Sequence, residues 1–234
     1  MSGLVAVVPA KDLAQAKARL AGLLSPEERR GLARAMLADV LAALAAVPDL
    51  AGVMVVTSDA ELAALAHGAG ARLLSDLRQE GPSGAIALAA SRLSEDGAAG
   101  MLAVPADVPL ATPAEFAEVL AAAHAAPAAV LVPALADMGT NAIALRPADA
   151  IPPCYGRESF FRHQEAALQR GIEPRILRLP GLGLDVDRPA DLAAFAARPS
   201  PTRSYAYLAD CGIIARLAAL PAADADAGRD EKKG

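Results

Sequence analysis

Short runs of apolar, often β-branched residues alternate along the chain with longer Ala- and Leu-rich stretches broken by charge. This alternation predicts parallel strands with helices covering both faces of a sheet. Leu4 to Val8 is a continuous apolar run suited to a strand buried on both sides, and Pro9 ends it. A loop bearing Lys11, Lys17 and Arg19 follows, and Ser25-Pro26-Glu27-Glu28 then opens a long helix. Ser25 accepts from an orphan backbone N–H there, Pro26 takes the first helical position, and Glu28 completes a capping box. The same grammar repeats: Val53 to Thr57 predicts a strand, Ser58 with Glu61 caps a helix that Gly68 terminates, and Arg72 to Ser75 predicts a third strand. The loop Gly81-Pro82-Ser83-Gly84 leads into another helix. Met101 to Val104 is a fourth strand, ended by Pro105-Ala106-Asp107-Val108-Pro109-Leu110, and Thr112-Pro113 with Glu115 caps the next helix.

The second half is more mixed. Ala129 to Pro133 and Asn141 to Leu145 predict strands joined by a turn at Asp137-Met138-Gly139, an antiparallel excursion in an otherwise parallel sheet. A helix from about Glu158 to Arg170, a strand near Ile176 to Leu179 and a capped helix after Asp187 complete the pattern. The expected organisation is one α/β domain over residues 1–198, a helical extension over 199–220 in which Ser204 to Leu220 forms one amphipathic helix, and a disordered tail over 221–234.

Composition narrows the function. Of 234 residues 54% are hydrophobic, yet no run of about 18 apolar residues lacks polar interruption, so a membrane span is not expected. The N-terminus lacks the basic segment and cleavage site of a signal peptide, which points to the cytosol. Two distant cysteines, Cys154 and Cys211, suggest neither a disulfide framework nor a thiolate metal site. A net charge of −5 without a basic stripe argues against nucleic acid as a partner and favours small molecules.

The loops of the first half gather at the carboxyl ends of the strands, the edge at which open α/β sheets bind ligands. Asp107 follows an apolar strand and should project at that edge, its bland alternative being a turn-forming Asp before proline. Asp185-Val186-Asp187, if extended, turns two carboxylates to one face, although Asp187 also fits a helix N-cap before Pro189. Hard oxygen ligands of this kind suit magnesium, which takes one or two carboxylates plus phosphate oxygens and water. Lys11, Lys17 and Arg19 suit a triphosphate, or a solvated basic face. Gly81 and Ser83 lie in a loop that lets backbone approach a base or ribose, or is a plain connection. Neither G-x-G-x-x-G nor a P-loop is present, against a dehydrogenase or P-loop NTPase. Polar side chains cluster at Gly139-Thr140-Asn141-Ala142 and from Tyr155 to His163, where Thr140, Gly156 and Ser159 suit an acidic or phosphorylated ligand. Here too Ser159 also fits a helix cap, and His163 an ordinary core or surface histidine.

These residues together resemble the guanylyltransferases that activate a phosphorylated three-carbon acid in biosynthesis of coenzyme F-420, acting on 2-phospho-L-lactate, phosphoenolpyruvate or 3-phospho-D-glycerate. The resemblance runs from Val7 to about Phe195. It is carried by Val8-Pro9-Ala10-Lys11, Ala16 to Leu20, Pro105 to Leu110, Gly139 to Ala142, Tyr155-Gly156 with Ser159-Phe160 and His163, and Leu184-Asp185-Val186-Asp187 with Pro189 and Asp191-Leu192. It implies a Rossmann-like, GT-A-like nucleotidyltransferase fold and magnesium held by Asp107, Asp185 and Asp187. It further implies nucleotide phosphates handled by Lys11, Lys17 and Arg19, and GTP with an acid bound at Thr140, Gly156 and Ser159 as partners. Lys17, Arg19 and Asp107 are then the catalytic set, with Gly81 and Ser83 near the nucleotide. Gly81-Pro82-Ser83-Gly84-Ala85 departs from the usual Gly-Leu-Asn-x-Ala and looks like the loop of molybdenum-cofactor nucleotidyltransferases; Tyr155 replaces a frequent phenylalanine. The alternatives are therefore a molybdopterin or sugar-phosphate nucleotidyltransferase, or a nucleotide-binding module without catalysis. Docking of the 204–220 segment onto a second subunit, giving a homodimer, is a further expectation.

Overall fold

β1 (Val5–Pro9) lies at the heart of a seven-stranded sheet, flanked by parallel partners β2 (Gly52–Val56) and β4 (Met101–Ala103). β3 (Arg72–Leu74) closes one edge beside β2, and β6 (Thr140–Arg146) runs antiparallel between β4 and β5 (Ala128–Pro133). β7 (Arg175–Ile176) pairs parallel with β5 to end the order β3-β2-β1-β4-β6-β5-β7. The expected mostly parallel sheet with one antiparallel excursion is what the chain forms. This computed structural model describes residues 3–76 and 80–219; the tail expected over 221–234 lies outside the described residues. Among the described residues no helix is long and apolar enough to cross a membrane.

Alternate residues of β1 serve the two faces, as strand geometry requires. Leu4, Ala6 and Val8 pack with α1 (Pro26–Ala45), α2 (Ala60–Gly68) and α4 (Pro113–Ala122), through residues such as Leu41, Leu62 and Phe116. Val5 and Val7 face α3 (Gly81–Glu95) and α5 (Ser159–Gln169), through Ile86, Leu93 and Phe160. The sheet is thus covered on both sides, which is why its strands read as unbroken apolar runs.

Local sequence chemistry sets most boundaries. The capping boxes of Ser25 with Glu28 and Thr112 with Glu115 both form, with Ser25 accepting from the Glu28 N–H at 3.2 Å. Four expectations are corrected. The cap of α2 is Asp59, whose Oδ1 accepts from the Glu61 and Leu62 N–H groups at 2.8 and 3.0 Å; a carboxylate spans both donors where the Ser58 hydroxyl would satisfy one. Gly81 to Gly84 are the first turn of α3 and not a loop, entered through Gly81 at φ +79°. Only Arg175 and Ile176 pair with β5, so the strand expected to reach Leu179 stops early. In place of the one helix expected over 204–220, the described residues form two, α7 (Arg203–Asp210) and α8 (Ile213–Ala218), because Gly212 at φ +67° turns the chain between them.

α7 and α8 dock against their own domain. Leu208 and Ile213 join Leu20, Leu24, Leu32, Met36, Leu184, Val186 and Phe195 in a third apolar cluster. Asp39 of α1 accepts from the Arg203 and Ser204 N–H groups at 2.8 and 2.9 Å, so one carboxylate of α1 caps the first turn of α7. α6 (Pro189–Ala196) adds Leu192 and Phe195 to the same cluster.

Candidate active site

The parallel strands β1 to β4 end at one edge of the sheet. The antiparallel register that sets Ala103 opposite Ile143 brings the first residue of β6, Thr140, to that edge as well. The basic segment after β1 folds into two short 3₁₀ turns, Leu13–Gln15 and Ala18–Leu20, pinned by buried Leu13, Leu20 and Leu24. The Leu13 N–H donates to Asp59 Oδ2 at 3.0 Å, tying the segment to the start of α2. Between the two turns Lys17 adopts φ +52°, a left-handed conformation that a non-glycine residue holds only when its surroundings impose it. Its ammonium donates to Asp107 Oδ2 at 2.5 Å and lies 4.0 Å from Asp187 Oδ1, while the Arg19 guanidinium donates to Asp187 Oδ2. The Lys17 side chain is 8% exposed against 64% for Arg19, so the Lys17 pair is the better shielded from water. Lys11 remains exposed; among the described residues the ion pairs with these carboxylates are made by Lys17 and Arg19.

The carboxylates come from two distant segments joined by backbone. The Val186 N–H donates to the Asp107 carbonyl at 2.9 Å, and buried Val186 anchors the segment in the third cluster. Asp187 is not the cap of α6. Asp191 Oδ2 accepts from the Asp187 and Arg188 N–H groups at 3.2 and 2.8 Å, leaving the Asp187 carboxylate to the cations. Asp185 is the half-buried member. Burial first, then the negative charge of Asp107, push its carboxyl up from 3.8 to about 6, against a lowering hydrogen bond from Asn141 Nδ2 at 3.0 Å. The Asn141 amide also donates to the Leu182 carbonyl at 3.0 Å, which fixes its direction.

Among the described residues no group of three or more His, Cys, Asp or Glu side chains stands together as a metal site. Magnesium does not require one, since one or two carboxylates with phosphate oxygens and water complete its shell. Burial and the charge of Asp107 both press Asp185 towards its neutral form, a cost that a divalent cation would relieve, so these residues fit the ion.

Beside Asn141, the Thr140 N–H donates to Ser159 Oγ at 2.9 Å. Ser159 is therefore the buried first residue of α5 and not its cap; Glu158 holds the cap position at φ +54° without a side-chain bond. Gly156 sits at φ +115° in the preceding loop, and its carbonyl accepts from the Ser159 N–H at 3.1 Å. His163 is fully buried, and burial, reinforced by the Arg162 charge, drops it from 6.5 to about 4. Ser83 joins the two halves of the site, its Oγ accepting from the Tyr155 N–H at 3.0 Å. Thus Lys17, Arg19, Asp107 and Asp187 meet directly, Asp185 joins them through its charge, and Thr140 and Ser159 form a neighbouring pair. The bridging roles of Asn141, Asp59 and Ser83 were not read from the sequence. Asp59 had a signal, as an acid before a helix; the other two bond residues far along the chain.

The model of the family described as "Guanylyl transferase CofC like" matches residues 4–226. The chain belongs to this family. Its match takes in α7 and α8 as well as the sheet, so the extension is part of the family unit. The phosphoenolpyruvate guanylyltransferases of Rubrobacter xylanophilus and Sphaerobacter thermophilus are each 42% identical to it, over 82% of this chain and 93% and 92% of theirs. The 3-phospho-D-glycerate guanylyltransferase of Colwellia psychrerythraea is 33% identical over 83% of this chain and 92% of its own. In fold, a nucleotidyl transferase from Methanothermobacter superposes with a TM-score of 0.62 at 17% identity, covering 82% of this chain and 95% of the other. The CofC-like guanylyltransferase is accordingly a nucleotidyltransferase, with the cation and carboxylate cluster at the ligand edge of its sheet.

Proposed function

We propose that this guanylyltransferase transfers GMP from GTP to phosphoenolpyruvate, with 3-phospho-D-glycerate and 2-phospho-L-lactate as the other candidate acids, and releases pyrophosphate in the pathway to coenzyme F-420. The observation that carries the reading is the meeting of Lys17 and Arg19 with Asp107 and Asp187 beside the Thr140–Ser159 pair. The names of the 42% identical relatives favour phosphoenolpyruvate among the acids. A phosphate oxygen of the acid attacks the α-phosphorus of GTP in line. The new P–O bond forms as the bond to the β-phosphate oxygen breaks, and pyrophosphate departs with the electron pair. A phosphate dianion is already a nucleophile, so no general base is needed and the work is positioning and charge neutralisation. Lys17 and Arg19 neutralise the triphosphate, while Thr140, Gly156 and Ser159 hold the acid, and Gly81 and Ser83 border the nucleotide. Asp107, Asp185 and Asp187 would hold magnesium, which supplies further positive charge at the phosphates when bound.

Incubation with each of the four nucleoside triphosphates and each of the three acids, with pyrophosphate detection and mass spectrometry of the product, tests the reading. GTP with phosphoenolpyruvate should give the guanylylated acid. Product from a different nucleotide, or from none of the acids, overturns it. Asp107→Ala and Asp187→Ala should each lose activity by about a hundredfold or more while keeping the native circular dichroism spectrum; near-normal turnover by either removes that residue from the metal set.

A further inference from the structure

We propose that His163 is a positioning residue that commits the Thr140 hydroxyl to donate to the bound acid and holds the Gly156 loop beside it. The assignment rests on the reading of Thr140 and Gly156 as acid-binding residues. The His163 imidazole is bonded at both nitrogens. Nε2 lies 2.8 Å from the Cys154 backbone nitrogen, which has only a hydrogen to offer, so Nε2 must be the unprotonated acceptor. The ring proton is then on Nδ1, which donates to Thr140 Oγ1 at 2.9 Å. Burial keeps the ring neutral, consistent with one donor and one acceptor nitrogen.

The consequence falls on Thr140. Its backbone N–H is spent on Ser159 Oγ at 2.9 Å, and its hydroxyl oxygen accepts from His163, with Ser159 Oγ more distant at 3.4 Å. The hydroxyl proton is what Thr140 has left, and an anionic ligand needs donors. The same imidazole anchors the loop. Cys154 gives its N–H to His163, and Tyr155 gives its N–H to Ser83 and accepts from Arg162 at 3.0 Å, immediately before Gly156. The Tyr155 ring stands edge-on to His163 with centroids 5.0 Å apart. A side chain of this kind shows its function through the groups it orients.

Three measurements on the full-length protein decide the matter. Long-range ¹H–¹⁵N NMR of the histidines at neutral pH should find His163 protonated at Nδ1 and bare at Nε2; the opposite tautomer overturns the proposal. In steady-state assays His163→Phe should raise KM for the acid about 10- to 100-fold and change KM for GTP less than about threefold. His163→Asn, whose amide nitrogen can stand in for Nδ1, should recover most of that loss. Equal rises in both KM values, or no recovery with Asn, mark a merely structural histidine and overturn the proposal. In a Thr140→Val background His163→Phe should raise KM for the acid clearly less than it does in the wild type, because the hydroxyl it acts through is gone; full additivity overturns the coupling. Should His163→Phe fail to fold, His163→Gln, whose amide falls at the Nε2 position and leaves the Thr140 hydroxyl without its donor, takes its place in both kinetic tests. Wild-type inactivity towards all three acids would overturn the functional reading itself, and the tautomer would then decide the His163 geometry alone.

Discussion

Two side chains at the site, buried His163 and half-buried Asp185, titrate in opposite senses and oppose one another in the pH dependence of stability. His163 falls from 6.5 to about 4 on folding, so between those values the unfolded chain takes up a proton that the native one refuses, and stability drops as pH falls. Asp185 rises from 3.8 to about 6, so the native state takes up its proton first, and stability from this group drops as pH rises through that range. Each effect is on the order of 3 kcal/mol, and over the shared window they nearly cancel. In chelator, Asp185→Asn should therefore unmask the histidine. Its melting temperature should climb from pH 4.5 to 6.5 by more than that of the wild type, followed by differential scanning fluorimetry. A profile parallel to the wild type would show that Asp185 is solvated. At this scale the sequence shows which residue types carry the chemistry, because Asp-Val-Asp and the aspartate after β4 are local patterns. It does not show what holds them. Asn141 reaches Asp185 across 44 positions and Ser83 reaches Tyr155 across 72, and nothing in a local window marks either as a partner.

Among the elements, the seam between α1 and α7 leaves no room for a side chain at Gly31. Gly31 lies inside α1, where alanine would ordinarily stabilise a helix by about 1 kcal/mol. A Cβ there would overlap the Tyr207 hydroxyl and ring, whose side chain packs against the third apolar cluster. The overlap outweighs the propensity, so Gly31→Ala should lower stability by roughly 1–3 kcal/mol, read as a fall in the denaturation midpoint; an unchanged or raised midpoint would show that α7 yields freely. Elements with a local signature were legible. Ser25 with Glu28 and Thr112 with Glu115 needed only four residues each, and the continuous apolar runs of β1 and β4 followed from burial on both faces. The brevity of β7 was not legible, because pairing with β5 depends on a strand far away in sequence. The break at Gly212 was equally hidden, since an isolated glycine inside an amphipathic pattern reads as tolerated.

Across the whole molecule, the third apolar cluster couples the chain's end to the site. Leu20 and Leu24 flank or follow Arg19, Leu184 and Val186 alternate with Asp185 and Asp187, and all four pack with Leu208 and Ile213 of the C-terminal helices. Truncation after Pro199 removes those two residues and leaves both charged segments without their backing. Since loss of one buried large apolar side chain costs about 2–5 kcal/mol, the truncated chain should lose its cooperative melt and its turnover together. A shortened protein that melts and turns over like the full chain would show that the extension is an appendage. The sheet itself carries a different message. β6 runs against its neighbours, so the chain enters it at the ligand edge directly from the hairpin turn at Asp137 to Gly139. Lys17 and Arg19 follow β1, which lies on the other side of β4. On the proposed reading the acid and the nucleotide draw on separate stretches of the chain, but Asn141 and Tyr155 tie residues 134–163 to Asp185 and Ser83, so an exchange of that stretch between relatives has to carry both partners with it if acid preference is to move while the donor site stays intact.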